Sequence, residues 1–274
     1  MNSAKTALAR AVDATGLNDL LLRLQHKMHW PYARAVNYHG VPERHSGGFE
    51  RQLEFFARHF VICGYEELLM LHCGLWSHDR PALVLTFDDG LRSHAEVVAP
   101  MLDRLGLTGW FFVPPGLVAT SRSAAVPNPD FREEPMTWDD LCELHERHVI
   151  GCHTMTHCRL HAGLDPAILQ HEIVDAKRLL EERLGQDVKV FGWVGGEESS
   201  YSAAAAKVIR EAGFSMSFMT NNAPIRPEGD LMQLQRTNVE AHLPMSLVRF
   251  QISGLMDVMY TPKRRRVNCL TRAV

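Results

Sequence analysis

Two adjacent carboxylates, Asp88 and Asp89, end an apolar segment of the sequence and are followed by Gly90. Parallel α/β proteins carry catalytic residues at this kind of position, just beyond the carboxyl end of a strand. Neighbouring side chains of a strand point to opposite faces, but a glycine can relax the backbone so that both acids reach one pocket. Two like charges raise the pKa of one acid unless a cation lies beside them. The pair therefore indicates a catalytic or metal site, or else an ordinary Asp-Gly turn with solvated carboxylates.

Two histidines, His153 and His157, follow a second apolar segment. Two imidazoles and one carboxylate form the ligand set of many catalytic zinc sites, which keep one position open for water. The chain has 15 histidines, so a chance pair at this spacing is the alternative. Cys152 and Cys158 flank the pair, but a closed structural site of two cysteines and two histidines is disfavoured, because Cys152 points away from the strand face that presents His153.

The acid pair and the histidine pair need a scaffold that brings two strand ends together. From residue 34 onward, short β-like segments alternate with amphipathic helices, which is typical of repeated βα units and predicts a parallel sheet or barrel. The carboxyl ends of parallel strands meet at one edge, so both motifs are expected to open onto the same face. The predicted strands cover residues 35–38, 82–86, 109–113, 149–153, 188–194, 214–220 and 233–239. The predicted helices cover residues 17–28, 49–61, 93–105, 138–146, 166–184, 201–212 and 243–256.

These motifs resemble those of a known family. The segments Thr86-Phe87-Asp88-Asp89-Gly90 and His153-Thr154-Met155-Thr156-His157, with an upstream Tyr38-His39-Gly40 and a Trp-Phe-Phe-Val strand between them, are similar to the NodB-homology polysaccharide deacetylases, carbohydrate esterase family 4. The resemblance spans about residues 36–220. It implies an α/β fold, namely an irregular (β/α) barrel of about seven parallel strands of the glycoside hydrolase-deacetylase type. It also implies hydrolysis of N-acetyl groups on amino sugars with a divalent metal, for which Zn²⁺ is the first candidate.

Carried over residue by residue, the resemblance assigns Asp88 as the catalytic base and Asp89, His153 and His157 as the metal ligands. The chemistry is consistent with that division. A metal lowers the pKa of bound water to about 7, so a nearby carboxylate need only accept the proton as the oxygen attacks the acetamide carbonyl.

The chain departs from the family pattern in its later motifs. By position, Gly195 would supply an oxyanion-binding amide, but the arginine that often orients the base and the usual proline are missing there. For the general acid the sequence offers two rival histidines, His242 and His39. Arg236 could replace the lost arginine, with an ordinary surface charge as the alternative. Trp193 could stack on a sugar ring, with core packing as the alternative.

Composition and charge restrict the class of partner. The net charge is −3, which excludes the basic excess of a protein that binds nucleic acid, and 46% hydrophobic residues indicate a globular fold. We predict an N-terminal helical extension over residues 1–33, a NodB-homology deacetylase domain over residues 34–260 and a basic C-terminal tail over residues 261–274. Residues 120–136, rich in Ser, Pro and Asn, predict a substrate-side loop or disorder.

The location is also an expectation. The sequence shows neither a signal peptide nor an apolar segment long enough for a transmembrane helix, which favours a cytoplasmic location. The leucine-rich helix 17–28 is expected to dock on the domain. Alternatively, it and the basic run at residues 263–266 make peripheral contact with the inner face of an anionic membrane.

The leading functional hypothesis is a metal-dependent carbohydrate N-deacetylase. Its partner would be an N-acetylated saccharide in a polysaccharide, an oligosaccharide or a lipid-linked glycan, in the biosynthesis of a cell-surface glycan. One alternative is a catalytically weakened barrel that acts as a carbohydrate-binding or scaffold protein. Another is a hydrolase of a different C–N bond.

Overall fold

The computed structural model describes residues 3–125 and 133–272, so part of the predicted loop 120–136 lies outside the described residues. Its eight parallel strands are β1 (Ala33–Tyr38), β2 (Val61–Ile62), β3 (Ala82–Asp88), β4 (Gly109–Val113), β5 (Val149–Cys152), β6 (Val190–Gly192), β7 (Met216–Met219) and β8 (Leu234–Asn238). Seven of them form a closed barrel, because β1 pairs with both β3 and β8. The short β2 pairs with the start of β3. The predicted barrel of about seven strands is confirmed.

Helices surround this barrel. They are α1 (Ser3–Ala14), α2 (Leu17–His29), α3 (Ser46–His59), α4 (Tyr65–His72), α5 (Ala99–Leu105), α6 (Trp138–His145), α7 (Pro166–Leu169), α8 (Ala176–Leu184), α9 (Ala203–Glu211), α10 (Met245–Ile252) and α11 (Leu255–Thr271). A π-helical segment, Gln170–Asp175, joins α7 to α8, so the predicted helix over residues 166–184 is one continuous element. It begins as predicted, with Asp165 capping the amide of Ala167, and ends at Gly185.

The barrel interior is apolar toward the amino ends of the strands and polar at their carboxyl ends. Alternate residues of β3 share one face, and Val84 on this face packs in a buried cluster with Trp110 of β4 and Phe218 of β7. The Trp110 and Phe218 rings are 5.5 Å apart, although β4 and β7 are not neighbouring strands, so this cluster crosses the interior. Further along β3, Thr86 and then Asp88 continue the same face. The polar site therefore lies at the carboxyl ends of the strands, above an apolar plug.

The terminal segments differ from the sequence prediction. The basic run at residues 263–266 does not begin a tail but lies within α11, where Lys263 donates to the carbonyl of Gly196 and Arg266 pairs with Glu198. These contacts tie the basic side chains to the loop after β6. The helix α2 docks on the domain as expected, but Leu17, Leu20, Leu24 and Met28 of the predicted apolar face are exposed, and Leu22 packs against the core instead. The three predicted domain boundaries stay predictions.

Candidate active site

Asp88 and Asp89 are brought to one side of the barrel by the turn after β3. Asp88 is the last residue of the strand. Asp89 has φ +81° and Gly90 has φ +62°, so the left-handed backbone begins one residue earlier than the glycine. Aspartate tolerates this region better than most residues. The turn brings both buried carboxylates close to His153 Nε2, with Asp88 Oδ2 at 3.9 Å and Asp89 Oδ1 at 3.6 Å.

Asp89, His153 and His157 form a compact group of ligand atoms. Asp89 Oδ1 lies 3.1 Å from His157 Nε2 and 3.6 Å from His153 Nε2. One potential ligand atom from each residue lies within 4.8 Å of the others. Asp89 Oδ1 is buried and has no hydrogen bond of acceptable geometry from the described residues. Burial by itself raises the pKa of Asp89, but the two imidazoles outweigh it and hold that pKa well below its usual range.

The orientation of His153 leaves its Nε2 atom facing the carboxylates. Its Nδ1 atom lies 2.7 Å from the carbonyl oxygen of Gly192, the last residue of β6. A carbonyl can only accept, so Nδ1 carries the proton and Nε2 presents its lone pair to the site. Metal-ligating histidines are usually held by such a bond. The geometry is therefore that of an imidazole prepared to bind a cation.

The loop that carries both histidines is fixed by Glu172, a residue that sequence reasoning missed. This buried carboxylate accepts hydrogen bonds from the backbone amides of Met155 and Thr156, both at 2.9 Å, and from the Thr156 hydroxyl at 2.7 Å. Glu172 lies in the π-helical segment between α7 and α8. A glutamate within an amphipathic helix gives no sequence signal that distinguishes it from a solvated one.

Arg236 of β8 pairs with Asp88 through two hydrogen bonds, of 2.6 Å to Oδ1 and 2.9 Å to Oδ2. Arg236 is fully buried, so the alternative of a surface charge is excluded. Asn37 and Thr86 also accept from the same guanidinium. Burial raises the pKa of Asp88, but the charge and hydrogen bonds of Arg236 outweigh it, so the pKa lies below its ordinary value. Asp88 is thus held as a carboxylate.

His39 lies at the mouth of the same site and is paired with Glu240. Its Nδ1 atom is 2.7 Å from Glu240 Oε1. Burial by itself lowers the pKa of His39, but Glu240, Asp89 and Asp88 outweigh burial and raise this pKa to about 9. His39 is therefore an imidazolium at neutral pH. Sequence reasoning missed Glu240, although its position two residues beyond β8 obeys the same strand-exit rule that identified Asp88.

These side chains surround one small cavity of about 120 Å³ at the carboxyl ends of the strands. Its lining consists of Asn37, His39, Asp88, His153, His157, Gly195, Gly196, Thr220 and Asn238. Gly195 has φ +79°, and a Cβ atom at this position would lie 2.7 Å from Ser200 Oγ, so both backbone and space require glycine. The lining of the cavity therefore combines acidic, basic and amide groups.

Two predicted site residues lie elsewhere. His242 is exposed, its ring is 5.7 Å from that of His45, and it does not line the cavity. Trp193 is buried, donates from Nε1 to Ser217 Oγ at 2.8 Å and packs against Tyr201. The expectation that Trp193 stacks on a sugar is therefore wrong, because no face of the ring is accessible. Core packing, the alternative, is what the structure has.

Residues 77–217 match the family model described as polysaccharide deacetylase, and this match spans just over half of the chain. The chain belongs to the polysaccharide deacetylase family. Membership makes it a carbohydrate deacetylase and a hydrolase. Both catalytic-type motifs, at residues 86–90 and 153–157, fall inside the matched region. A search of curated proteins found no match.

Solved structures share the deacetylase fold. The Streptococcus pyogenes deacetylase PplD, in complex with acetate, is 18% identical, with a TM-score of 0.67 over 81% of this chain and 98% of that chain. IcaB from Ammonifex degensii is 21% identical, with a TM-score of 0.67 over 84% and 98% of the two chains. The BpsB deacetylase domain from Bordetella bronchiseptica is 16% identical, with a TM-score of 0.63 over 76% and 96%. At these identities the likeness establishes the barrel alone.

Proposed function

We propose that this chain is a metal-dependent hydrolase that removes N-acetyl groups from an N-acetylated amino sugar in a polysaccharide, an oligosaccharide or a lipid-linked glycan. The observation that carries the proposal is the arrangement at the cavity: an ionised Asp88 stands beside a separate group of one carboxylate and two imidazoles. A general base next to a ligand set is what metal-assisted amide hydrolysis needs.

The residues fit a divalent metal. Asp89 Oδ1 is buried without a hydrogen bond from the described residues, and the two Nε2 atoms converge on it. One carboxylate and two imidazoles are a donor set that suits zinc, which stays the first candidate. When bound by Asp89, His153 and His157, a divalent ion would polarise the acetamide carbonyl and lower the pKa of a water molecule.

The other residues take the proton-transfer roles. Asp88 accepts the proton of the attacking water, and Arg236 keeps its carboxylate ionised and fixed in orientation. His39, an imidazolium paired with Glu240, donates a proton to the leaving amine. Gly195 lines the cavity and keeps its proposed role as the amide donor to the oxyanion. We do not assign His242 as the general acid, because it does not line the cavity.

The substitution Asp88→Asn tests this assignment. It keeps the size of the side chain and removes the base, so acetate release from a panel of N-acetylated oligosaccharides should fall by about 10²–10⁴-fold. Bound zinc should stay near the wild-type amount, because Asp88 is outside the proposed ligand set. Asp79→Asn is the matched control, since the Asp79 side chain is 97% exposed. Full activity of the Asp88→Asn variant contradicts the mechanism.

The same assay addresses the two alternatives. The absence of the arginine that often orients the base favoured a binding or scaffold role. Arg236 pairs with Asp88 in the structure, so this argument for a scaffold is weakened. Acetate release that is lost on chelation and restored by zinc supports the enzyme over the scaffold. N-formylated oligosaccharides used in parallel distinguish an acetamide hydrolase from a hydrolase of another C–N bond.

A further inference from the structure

The helix α2 docks on the barrel mainly with polar residues, together with Leu22, which packs against the core. Asn18 and Gln25 are buried, whereas most of the leucines of the helix are not. Gln25 donates from Nε2 to the carbonyl of Ile252 at 3.0 Å and accepts from Arg34 Nε at 3.1 Å. Arg34 in turn pairs with Asp257 of α11. Hydrogen bonds and an ion pair therefore hold this side of the helix in place.

The apolar side of α2 faces solvent. Leu20 is 53% exposed, Leu24 41% and Met28 72%. With Leu17 they recur every three or four residues and form one line along the helix. Trp30, just beyond the helix, is also exposed. These five residues, Leu17, Leu20, Leu24, Met28 and Trp30, are called the α2 stripe below.

Cations lie along one side of the α2 stripe. Arg23 and Lys27 are exposed, and at 100° per residue they lie about 60° and about 20° from Leu20 around the helix axis. Asp19 lies one turn before Arg23, about 40° from it around the helix axis, and both residues line a groove between α2 and the barrel. The helix α2 carries two basic side chains and one acidic side chain, whereas the whole chain has a net charge of −3. The surface of α2 beside the stripe is thus locally basic.

We propose that the α2 stripe docks on the surface of an anionic lipid bilayer. A helix that lies in the plane of the interface has an exposed apolar face, flanking cations and an interfacial aromatic residue. The α2 stripe supplies the first and the last, and Arg23 and Lys27 supply the cations. Arg23 and Lys27 would lie among acidic headgroups. A contact between two antiparallel copies of the stripe is disfavoured, because twofold symmetry would place the cations of both copies on the same edge of the contact.

The place of α2 sets the orientation on the bilayer. The groove beside the helix is lined by Tyr32, Phe60 and Pro81, which directly precede β1, β2 and β3. The helix therefore covers the amino ends of these strands. The catalytic cavity lies at the opposite, carboxyl ends. Docking through the α2 stripe would turn the cavity away from the bilayer, toward a saccharide in the aqueous phase. None of the described helices is long and apolar enough to cross a bilayer.

Sedimentation of the full chain with vesicles tests the proposal. Vesicles of phosphatidylcholine with 30% phosphatidylglycerol are compared with pure phosphatidylcholine, at low and at high salt. The double variant Leu20→Gln/Leu24→Gln should weaken binding to the anionic vesicles by about tenfold or more. The double variant Arg23→Gln/Lys27→Gln should weaken it by about fivefold per cation, and high salt should reproduce that loss.

A matched control comes from two apolar residues with the same exposure on other helices. Met70 of α4 is 53% exposed and Ile168 of α7 is 42% exposed, so Met70→Gln/Ile168→Gln should bind as the wild type does. Thermal denaturation of each variant confirms folding. Acetate release from a soluble oligosaccharide should be unchanged by Leu20→Gln/Leu24→Gln, so the vesicle result is independent of the proposed function.

Three results overturn the proposal. The first is a wild-type chain that stays in the supernatant with anionic vesicles at low salt. The second is equal loss of binding in the α2 variant and in the Met70→Gln/Ile168→Gln control. The third is a dimer in light scattering that Leu20→Gln/Leu24→Gln converts to a monomer, which would assign the α2 stripe to a second copy of the chain.

Discussion

At the scale of single residues, the proposed general base, Asp88, and the proposed general acid, His39, have counter-ions of opposite charge. Asp88 is paired with a buried guanidinium that lowers its pKa, and His39 is paired with a carboxylate that raises its pKa to about 9. Both groups are therefore in their working states at neutral pH: the base is ionised and the acid is protonated. Two titrating groups whose environments move their pKa values apart are typical of acid–base catalysis.

The substitution Glu240→Gln should move the alkaline limb of the pH profile of kcat/KM to lower pH. His39 is active when protonated, so activity falls as the pH rises through its pKa of about 9. A charge-assisted hydrogen bond contributes about 1.5–3 kcal/mol, so its loss should lower this pKa by about 1–2 units. His242→Gln is the matched control and should leave the limb in place. A profile that shifts with His242→Gln and not with Glu240→Gln contradicts the choice of His39.

At the scale of elements, the loop between β5 and α7 carries the two proposed histidine ligands and includes residues with left-handed backbone. Thr154 and His157 have φ values of +61° and +62°. The loop is held by Glu172 and by the amide of Gly116, which donates to the carbonyl of Met155 at 2.9 Å. A π-helical segment supplies Glu172, which is consistent with the frequent use of such segments at functional sites.

Substituting Glu172 should weaken metal binding more than it weakens folding. Glu172→Ala leaves the amides of Met155 and Thr156 without their acceptor, and supporting groups of this kind change metal affinity by about 10–100-fold. Glu172→Gln keeps an acceptor oxygen for both amides and should restore most of the affinity. Titration of the metal-free protein with Co²⁺, followed by its visible spectrum, measures both. Equal affinity in the wild type and in Glu172→Ala would show that the loop holds its shape without this carboxylate.

The sequence predicts the elements better than their supporting contacts. The strand that ends at Asp88 and the helix from Pro166 to Gly185 follow from apolar periodicity, caps and glycine stops, which are local properties. The exposure of the predicted apolar face of α2 could not be predicted in this way, because periodicity identifies an apolar face but does not show whether the fold covers it. The role of Glu172 could not be predicted either, because its hydrogen-bond partners are backbone amides of another element.

At the scale of the whole molecule, closure of the barrel assembles the site from distant parts of the chain. Arg236 reaches Asp88 across 148 residues, and Glu240 reaches His39 across 201 residues. Both contacts arise because β8 and β1 are neighbours in the barrel, with Ala35 aligned to Arg236. The order of strands around a barrel is not encoded in any single motif. This is why Asp89, His153 and His157 could be named from local patterns, while the role of Arg236 was left open until its burial was known.

The order of β3, β4 and β5 in the barrel places the buried acid Asp89 beside two imidazoles, so occupation of the proposed ligand set should stabilise the entire fold. A ligand that binds only the folded state at 100 times its Kd adds about 2.7 kcal/mol. For a chain of this size each kcal/mol raises Tm by about 2–4 °C, so zinc should raise the Tm of the chelator-treated protein by about 5–10 °C. Calorimetry with and without zinc measures the shift.

Two variants distinguish the ligand set from the base in that experiment. Asp89→Asn removes one proposed ligand oxygen and should abolish most of the zinc-dependent rise in Tm. This holds whatever the Tm of the variant is in the presence of chelator. Asp88→Asn alters the neighbouring carboxylate, which pairs with Arg236 instead, and should keep the rise because the three ligands remain. The difference between the Tm values with and without zinc is the quantity compared, so a general loss of stability in either variant cancels. A rise that is kept in Asp89→Asn and lost in Asp88→Asn would exchange the roles of the two acids, and an equal rise in both variants would place the metal away from both acids.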